Sequence, residues 1–256
     1  MGPLSRYSVL GVEVNCLTLG MATDHLIDAA SRREHGYTCV CPVHSIMEAL
    51  DDADYQKVMN QSMMTTADGM PVVWMGRWLT GEKIQRVYGP DLMEAVFQHT
   101  ENTELSHYFY GGHEGVADQL IVKVKERFPE LSIAGYETPP FHEISEEELS
   151  ALSQRVKESG AHFLWVGLGV PKQERFMARA ESSLPGIIQI GVGAAFDFLS
   201  GNKPQAPQWM QRSGLEWLFR LFNEPKRLAR RYLVGNVRFL WHITLQLTGI
   251  RRYPLS

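Results

Sequence analysis

Cysteine is scarce in this chain. Its 256 residues contain three, Cys16, Cys39 and Cys41, an odd set with no Cys/His ligand spacing around it. That argues against a disulfide framework or a zinc site and reads as reduced thiols in a reducing compartment. Cys39 and Cys41 lie on a short β-rich run and are expected on its opposite faces, as buried core thiols rather than a redox pair. Long apolar runs are missing too: no stretch of about 18 uncharged apolar residues occurs, so no spanning helix is expected. Val9-Leu10-Gly11-Val12 is too short for a signal sequence, and Glu13 breaks the apolar stretch there. Pro3 and Arg6 spoil an acylation pattern at Met1-Gly2. Internal repeats and low-complexity segments are absent. So are a Walker lysine and a G-x-G-x-x-G fingerprint, because Gly191-Val192-Gly193-Ala194-Ala195-Phe196 puts a phenylalanine where close packing needs a small residue.

What is present is an ordinary globular composition, 44% apolar and 21% charged, with enough material for one α/β domain and an appendage. The net charge of −4 hides an asymmetry. Residues 203–256 hold ten Lys/Arg against Glu216 and Glu224, or +8, whereas residues 1–202 hold 15 basic and 27 acidic groups, or −12. A basic tail on an acidic body points to an anionic partner that only the tail meets. Trp209, Leu215, Trp217 and Phe222, then Leu233, Phe239, Leu240 and Trp241, are interleaved with the tail's arginines. Such a helical stretch suits an anionic membrane surface; the alternative is packing on the body or an interface in a homo-oligomer. Nucleic acid is not expected as a partner. The composition shifts near Gly201-Asn202-Lys203-Pro204, which sets the expected units at 1–202, an α/β domain, and 203–256, a basic amphipathic helical appendage.

Strand and helix patterns alternate through the body at roughly 20–30 residue intervals, as βαβ units of a mainly parallel sheet flanked by helices do. Strands are expected over 7–15, 38–41, 63–67, 107–110, 133–136, 162–167 and 187–190. Thr18 is positioned to cap a helix to about Arg33; further helices are expected over 43–50, 70–79, 91–100 and 114–127, and from the turn after Gly169 through Ala180. Ser145-Glu146-Glu147-Glu148 reads as a capping box opening a helix to Ser159. Pro42 is poorly placed for a central ladder.

The organising stretch is Thr65-Thr66-Ala67-Asp68-Gly69-Met70-Pro71-Val72-Val73-Trp74. It reads as a strand whose tip presents Asp68 on a tight turn, at the sheet edge where open α/β folds bind ligands. There a partly desolvated carboxylate can accept a hydroxyl proton; the alternative is an Asp-Gly turn held by side-chain-to-backbone hydrogen bonds. Three glycine-bearing turns follow expected strands, Gly111-Gly112, Gly167-Leu168-Gly169 and Gly191-Val192-Gly193. Glycine lets backbone amides approach an anion, and a following helix start favours phosphate. Lys172, Gln173 and Glu174 open a helix and either hold a sugar or diphosphate or form a solvated first turn. Arg86 is placed to neutralise a phosphate through its planar fork. Asp52-Ala53-Asp54 has the D-x-D form of metal-binding glycosyltransferases but no β-rich lead-in, so a solvated turn is favoured. His44 lies near the Asp68 edge.

Ala67-Asp68-Gly69-Met70-Pro71-Val72-Val73-Trp74 and Arg86-Val87-Tyr88-Gly89-Pro90-Asp91-Leu92-Met93 resemble the WecG/TagA/CpsF glycosyltransferase family. So do Gly167-Leu168-Gly169-Val170-Pro171-Lys172-Gln173-Glu174, Gly191 to Asp197, Gly214-Leu215-Glu216-Trp217-Leu218-Phe219-Arg220 and Glu224 to Tyr232. The matches run in order over nearly the whole chain. The resemblance implies a Rossmann-like fold and an inverting, metal-independent transferase with no cofactor. It would move a sugar, N-acetylmannosamine in the best-known members, from a UDP donor to an undecaprenyl-diphosphate-linked sugar, at the inner face of the bacterial cytoplasmic membrane. Asp68 then matches the base, Arg86 the diphosphate-stabilising arginine and Gln173 a substrate-binding glutamine. Gly111, Gly112, Gly167, Gly169, Lys172, Gly191, Gly193 and Asp197 make up the donor-binding set. Arg220, Arg227 and Arg230 match tail arginines that close over the site at the membrane, where they would meet the lipid diphosphate. One departure is Val40-Cys41-Pro42-Val43-His44, where many members carry a Thr-x-Asn type sequence. The alternatives are transfer of glucose or another hexose in exopolysaccharide synthesis, a nicotinamide-dependent dehydrogenase, and a non-catalytic membrane adaptor.

Overall fold

The computed structural model describes residues 4–140 and 142–255, so the Met1-Gly2 reading lies outside the described residues. The expected first strand is a hairpin, β1 (Arg6–Val9) and β2 (Val12–Asn15), antiparallel and separate from the main sheet. The chain reverses at Leu10 (φ 52°) and Gly11 (φ 88°), and two consecutive positive φ values give a turn whose twist matches the flanking strands.

The main sheet contains β3 (Gly36–Cys41), β4 (Met64–Ala67), β5 (His107–Gly111), β6 (Ile133–Glu137), β7 (Phe163–Gly167) and β8 (Ile188–Gly191). They run parallel in the order β4-β3-β8-β7-β5-β6. Such a sheet must be covered on both faces. On one side Val40, Phe109, Phe163, Trp165 and Ile190 meet α1 (Leu19–Ser31), α5 (Gly89–Thr100), α6 (Val116–Arg127) and α9 (Ala195–Leu199). On the other, Tyr37, Tyr108, Leu164 and Val166 meet α2 (Val43–Asp51), α3 (Ala53–Gln61), α4 (Met70–Thr80), α7 (Glu146–Glu158) and α8 (Lys172–Ala180).

Cys39 and Cys41 both belong to the second face. Side chains two residues apart on a strand share a face, so the expectation of opposite faces fails; all three cysteines are free and buried. Pro42 does not keep β3 out of the sheet interior, because it stands one residue past the last strand position, as the N-cap of α2. The α3 helix is an addition to the expected set: Asp52 accepts from Tyr55 N at 2.9 Å and restarts the chain as a helix. The Ser145 capping box is closed by both of its bonds, 3.2 Å and 2.8 Å.

Residues beyond Gly201 form α10 (Gln208–Arg212), α11 (Glu216–Asn223) and α12 (Pro225–Leu247). Among the described residues no helix is long and apolar enough to cross a membrane. The tail lies along the C-terminal edge of the sheet, where Phe239 and Ile243 enter the core cluster that includes α2. Arg238 makes two bonds to Asp51, at 2.8 and 2.7 Å. Gln246 donates to Ser8 O (2.9 Å) and accepts from Leu10 N (2.8 Å), pinning the end of α12 to the hairpin turn.

Candidate active site

β4 is buried at every position, and its last rung is the Asp68 N–H donating to Cys41 O at 3.1 Å. The chain then turns at Gly69 into α4. Beside β4, Val87 N donates to Ala67 O at 2.8 Å, which brings Arg86 alongside Asp68. Arg86 Nε donates to the Asp68 carbonyl at 2.5 Å and Nη2 to the Asp68 carboxylate at 3.2 Å. The carboxylate is therefore held by a guanidinium and not by its own turn.

Two tail residues complete the grip. Arg86 Nη2 also donates to Glu216 Oε2 at 2.5 Å and Nη1 to Gln211 Oε1 at 3.3 Å. Four of the five N–H groups of the guanidinium are thus engaged, and its plane lies over the Tyr88 ring, 4.1 Å from the centroid. Burial would lower the Arg86 pKa, but Asp68 and Glu216 outweigh it and the net shift is upward. Burial raises the Glu216 pKa despite the opposing pull of Arg86.

These groups line a cavity of about 500 Å³ between the tips of β3, β4, β7 and β8 and the tail. Arg220, Arg227 and Arg231 project from α11 and α12. Arg220 approaches Glu216 only at 3.9 Å. The Nε atoms of Arg220 and Arg231 are buried and have no hydrogen-bond partner among the described residues. His44 lines the opposite wall, its pKa pushed down to about 4 by burial and then by Arg231. Exposed Trp74, Leu215 and Leu240 also line the cavity and give it an apolar rim.

Below the cavity, Gln173 is buried and ties the glycine turns together. Its Oε1 accepts from Gly169 N at 3.2 Å, and its Nε2 donates to Glu174 Oε1 at 2.9 Å. A Cβ on Gly193, whose φ is 54°, would lie 3.5 Å from that same Gln173 oxygen. Glu174 is fully buried, with Oε2 unpartnered, and burial raises its pKa to about 7.

The structure brings Asp68, Arg86, Gln173, Gly169, Gly193, Arg220 and Arg227 together around one space. It does not place the other sequence-derived residues there. Gly111 faces Gly167 across the β5–β7 ladder, where a Cβ would lie 2.6 Å from the Gly167 Cα; a Cβ on Gly167 would meet the Phe196 ring at 2.9 Å. Close packing accounts for both glycines, and for Gly191, whose Cβ would lie 2.7 Å from Met177 Cε. Gly112 follows Gly111 outside the lining. Lys172 and Arg230 stand away from it. Asp197 pairs with Lys203 Nζ at 2.8 Å.

Asp52 and Asp54 serve as a helix cap and an exposed partner of Lys57. Among the described residues no group of three or more His, Cys, Asp or Glu could hold a metal ion. Sequence reasoning passes over Glu216, Gln211, Tyr88 and Arg231. For Arg231 a signal exists: Arg227, Arg231, Gly235 and Phe239 recur every four residues on one helix face, and all four line the cavity.

The model of the glycosyl transferase WecG/TagA/CpsF family matches residues 7–253. Over 183 residues the chain is 31% identical to the N-acetylglucosaminyldiphosphoundecaprenol N-acetyl-beta-D-mannosaminyltransferase of Bacillus subtilis (strain 168), covering 71% of this chain and 69% of that one. The protein of the same description from Bacillus spizizenii is 30% identical over 184 residues, 72% and 69% of the two chains.

Proposed function

The chain belongs to the WecG/TagA/CpsF family of glycosyl transferases, and on that premise we propose that it transfers N-acetylmannosamine from a UDP donor to the sugar of an undecaprenyl-diphosphate-linked acceptor. The observation that carries this reading is one cavity holding a strand-tip carboxylate, a wall of guanidinium groups and a rim of exposed apolar side chains. Each matches one part of the substrates: a hydroxyl to deprotonate, diphosphates to neutralise, and a polyprenyl chain entering from a membrane.

In the proposed reaction the Asp68 carboxylate takes the proton from an acceptor hydroxyl. The acceptor oxygen forms its bond to the anomeric carbon as the bond from that carbon to the diphosphate oxygen breaks, and UDP leaves with the electron pair. The anomeric configuration inverts in this single displacement. Guanidinium groups offset the negative charge that grows on the leaving diphosphate. No metal or cofactor is required by this scheme. The outer surface of the tail, with Phe222, Leu233, Val237 and Trp241 exposed among arginines, would rest on the anionic inner face of the membrane.

The decisive experiment is UDP release from a panel of UDP-sugars with a short lipid-diphosphate acceptor. Asp68→Asn is expected to lower turnover about a thousandfold while UDP still protects the chain against thermal unfolding. Undiminished turnover would remove Asp68 as the base, and consumption of UDP-glucose alone would replace the donor sugar.

A further inference from the structure

The side-chain amide of Gln173 is held at both ends. Its Oε1 accepts from Gly169 N at 3.2 Å, and its Nε2 donates to Glu174 Oε1 at 2.9 Å. A Cβ on Gly193 would lie 3.5 Å from Oε1, and one on Gly191 would lie 3.0 Å from Nε2. Gly169 and Gly193 line the cavity, whereas Gly191 and Glu174 do not. The amide oxygen therefore faces the cavity and its nitrogen faces the core. A backbone N–H only donates, so the Gly169 end must meet oxygen. A carboxyl keeps an accepting oxygen whether ionised or neutral, so the Glu174 end holds nitrogen. Gly169 uses one lone pair of Oε1, and the other is left for a ligand.

Glu174 is hard to account for by packing. It is fully buried, and its Oε2 has no hydrogen-bond partner among the described residues. A carboxyl buried on those terms costs stability, and folds keep such breaches of local rules at functional sites.

We propose that Glu174 is a positioning residue that acts through Gln173. It holds the amide oxygen toward the cavity, so that the floor accepts a hydrogen bond from the transferred sugar, through a hydroxyl or the N–H of its acetamido group. The assignment rests on the reaction proposed above and names the part of the donor that Gln173 meets. Ionised phosphates carry acceptors only, and an acceptor facing an acceptor repels. On sequence, this helix start serves a sugar or a diphosphate equally; the direction of the amide selects the sugar.

The test uses the full-length chain, titrated by calorimetry with UDP and with UDP-N-acetylmannosamine. Glu174→Leu, apolar and close in volume, is expected to weaken the UDP-sugar about fivefold, the scale of one net hydrogen bond. UDP should change by less than about twofold, a split that a general loosening of the site would not produce. Glu174→Gln keeps an accepting oxygen and should stay within about twofold for both. Glu174→Asp draws the acceptor back by one carbon and should lose part of the same affinity, a milder variant should Glu174→Leu not fold. In the Gln173→Met background, Glu174→Leu should cost nothing further, because the group it orients is gone. Heteronuclear NMR reads the clamp without any ligand. The Gln173 carboxamide, assigned by its absence from Gln173→Met, should show one slowly exchanging proton in the wild type and in Glu174→Gln, and none in Glu174→Leu.

Four results would overturn the assignment: unchanged UDP-sugar binding in Glu174→Leu, an equal loss for UDP, losses that add in the double variant, or an amide whose exchange ignores Glu174. Failure of the wild-type chain to bind or consume any UDP-sugar would sink the proposed reaction, while exchange at the Gln173 amide would still decide whether Glu174 sets its direction.

Discussion

β4 and α12 both lead charged side chains into the cavity, yet β4 is buried along its whole length while α12 buries three side chains of its 23 residues, Leu228, Phe239 and Ile243. The carboxylate is therefore placed by the core of the sheet, and the guanidinium wall by a few anchors. Those anchors are two core side chains, the Arg238–Asp51 pair, Gln246 on the hairpin turn, and Glu216 on Arg86. The carboxylate is built into the fold, whereas the wall is attached to it. On the proposed reaction, a wall held this way would admit a bulky lipid substrate by releasing its anchors, leaving the ladder of the sheet in place.

The largest effect should come from the best-buried anchor. Phe239→Ala removes an aromatic ring that is 3% exposed, a change that costs about 3 kcal/mol in a core that relaxes little. Hydrogen exchange should show faster opening of α12 while β3, β7 and β8 keep their protection. Equal loss of protection in the sheet would break the distinction between a built-in carboxylate and an attached wall.

Proton uptake separates the two regions in sign. Glu174, in the floor, has its pKa raised from the ordinary 4.5 to about 7 by burial. The folded chain binds more protons than the unfolded one between those values, so this group's stabilising contribution falls as pH rises through that window and levels off above it. The full effect is on the order of 3 kcal/mol. Asp51, under the tail, has its pKa lowered chiefly by its hydrogen bond to Arg238; its contribution is present above the ordinary carboxylate range and is lost as pH falls through the lowered value. Glu174→Gln should therefore stabilise the chain at pH 8 much more than at pH 5 in chemical denaturation. Acidification to below about 4 should loosen α12 first. A pH-independent gain from Glu174→Gln would mean that the floor carboxyl is not held protonated by the fold.

The alternation of strands and helices, the Thr18 and Ser145 caps and the strand tip at Asp68 are legible in the sequence because each depends on neighbours within a few residues. The hairpin is not, because Leu10-Gly11 lacks the usual Asn-Gly turn signal. Nor is α3, because Asp52 looks like half of a metal motif when it is a cap. Glycines at strand ends are easily over-read: one residue type serves both anion approach and tight backbone packing, and only the pairing of Gly111 with Gly167 under Phe196 separates the two. Glu216 cannot be found locally, since its partner Arg86 lies 130 residues away. An acidic residue in a basic tail is the available hint. Motif matching selects Arg230 over Arg231, whereas helix geometry favours the four-residue repeat.

The smallest effect offers the sharpest control. Ser145 caps α7 through a bond to Glu148 N, answered by Glu148 to Ser145 N, and Leu149, Leu152 and Val156 carry that helix into the body's core. Ser145→Ala should cost about 1 kcal/mol, read as a shift of the denaturation midpoint with an unchanged slope. None of its partners touches the tail, so exchange in α12 should stay as it was. Combining it with Phe239→Ala then tests whether body and wall are separate in energy as well as in sequence. If they are, the two losses add to within about 0.5 kcal/mol. A larger interaction energy would mean that the docking of α12 is felt throughout the sheet, and the tail would then be part of the core that aims Asp68, not a wall laid across it.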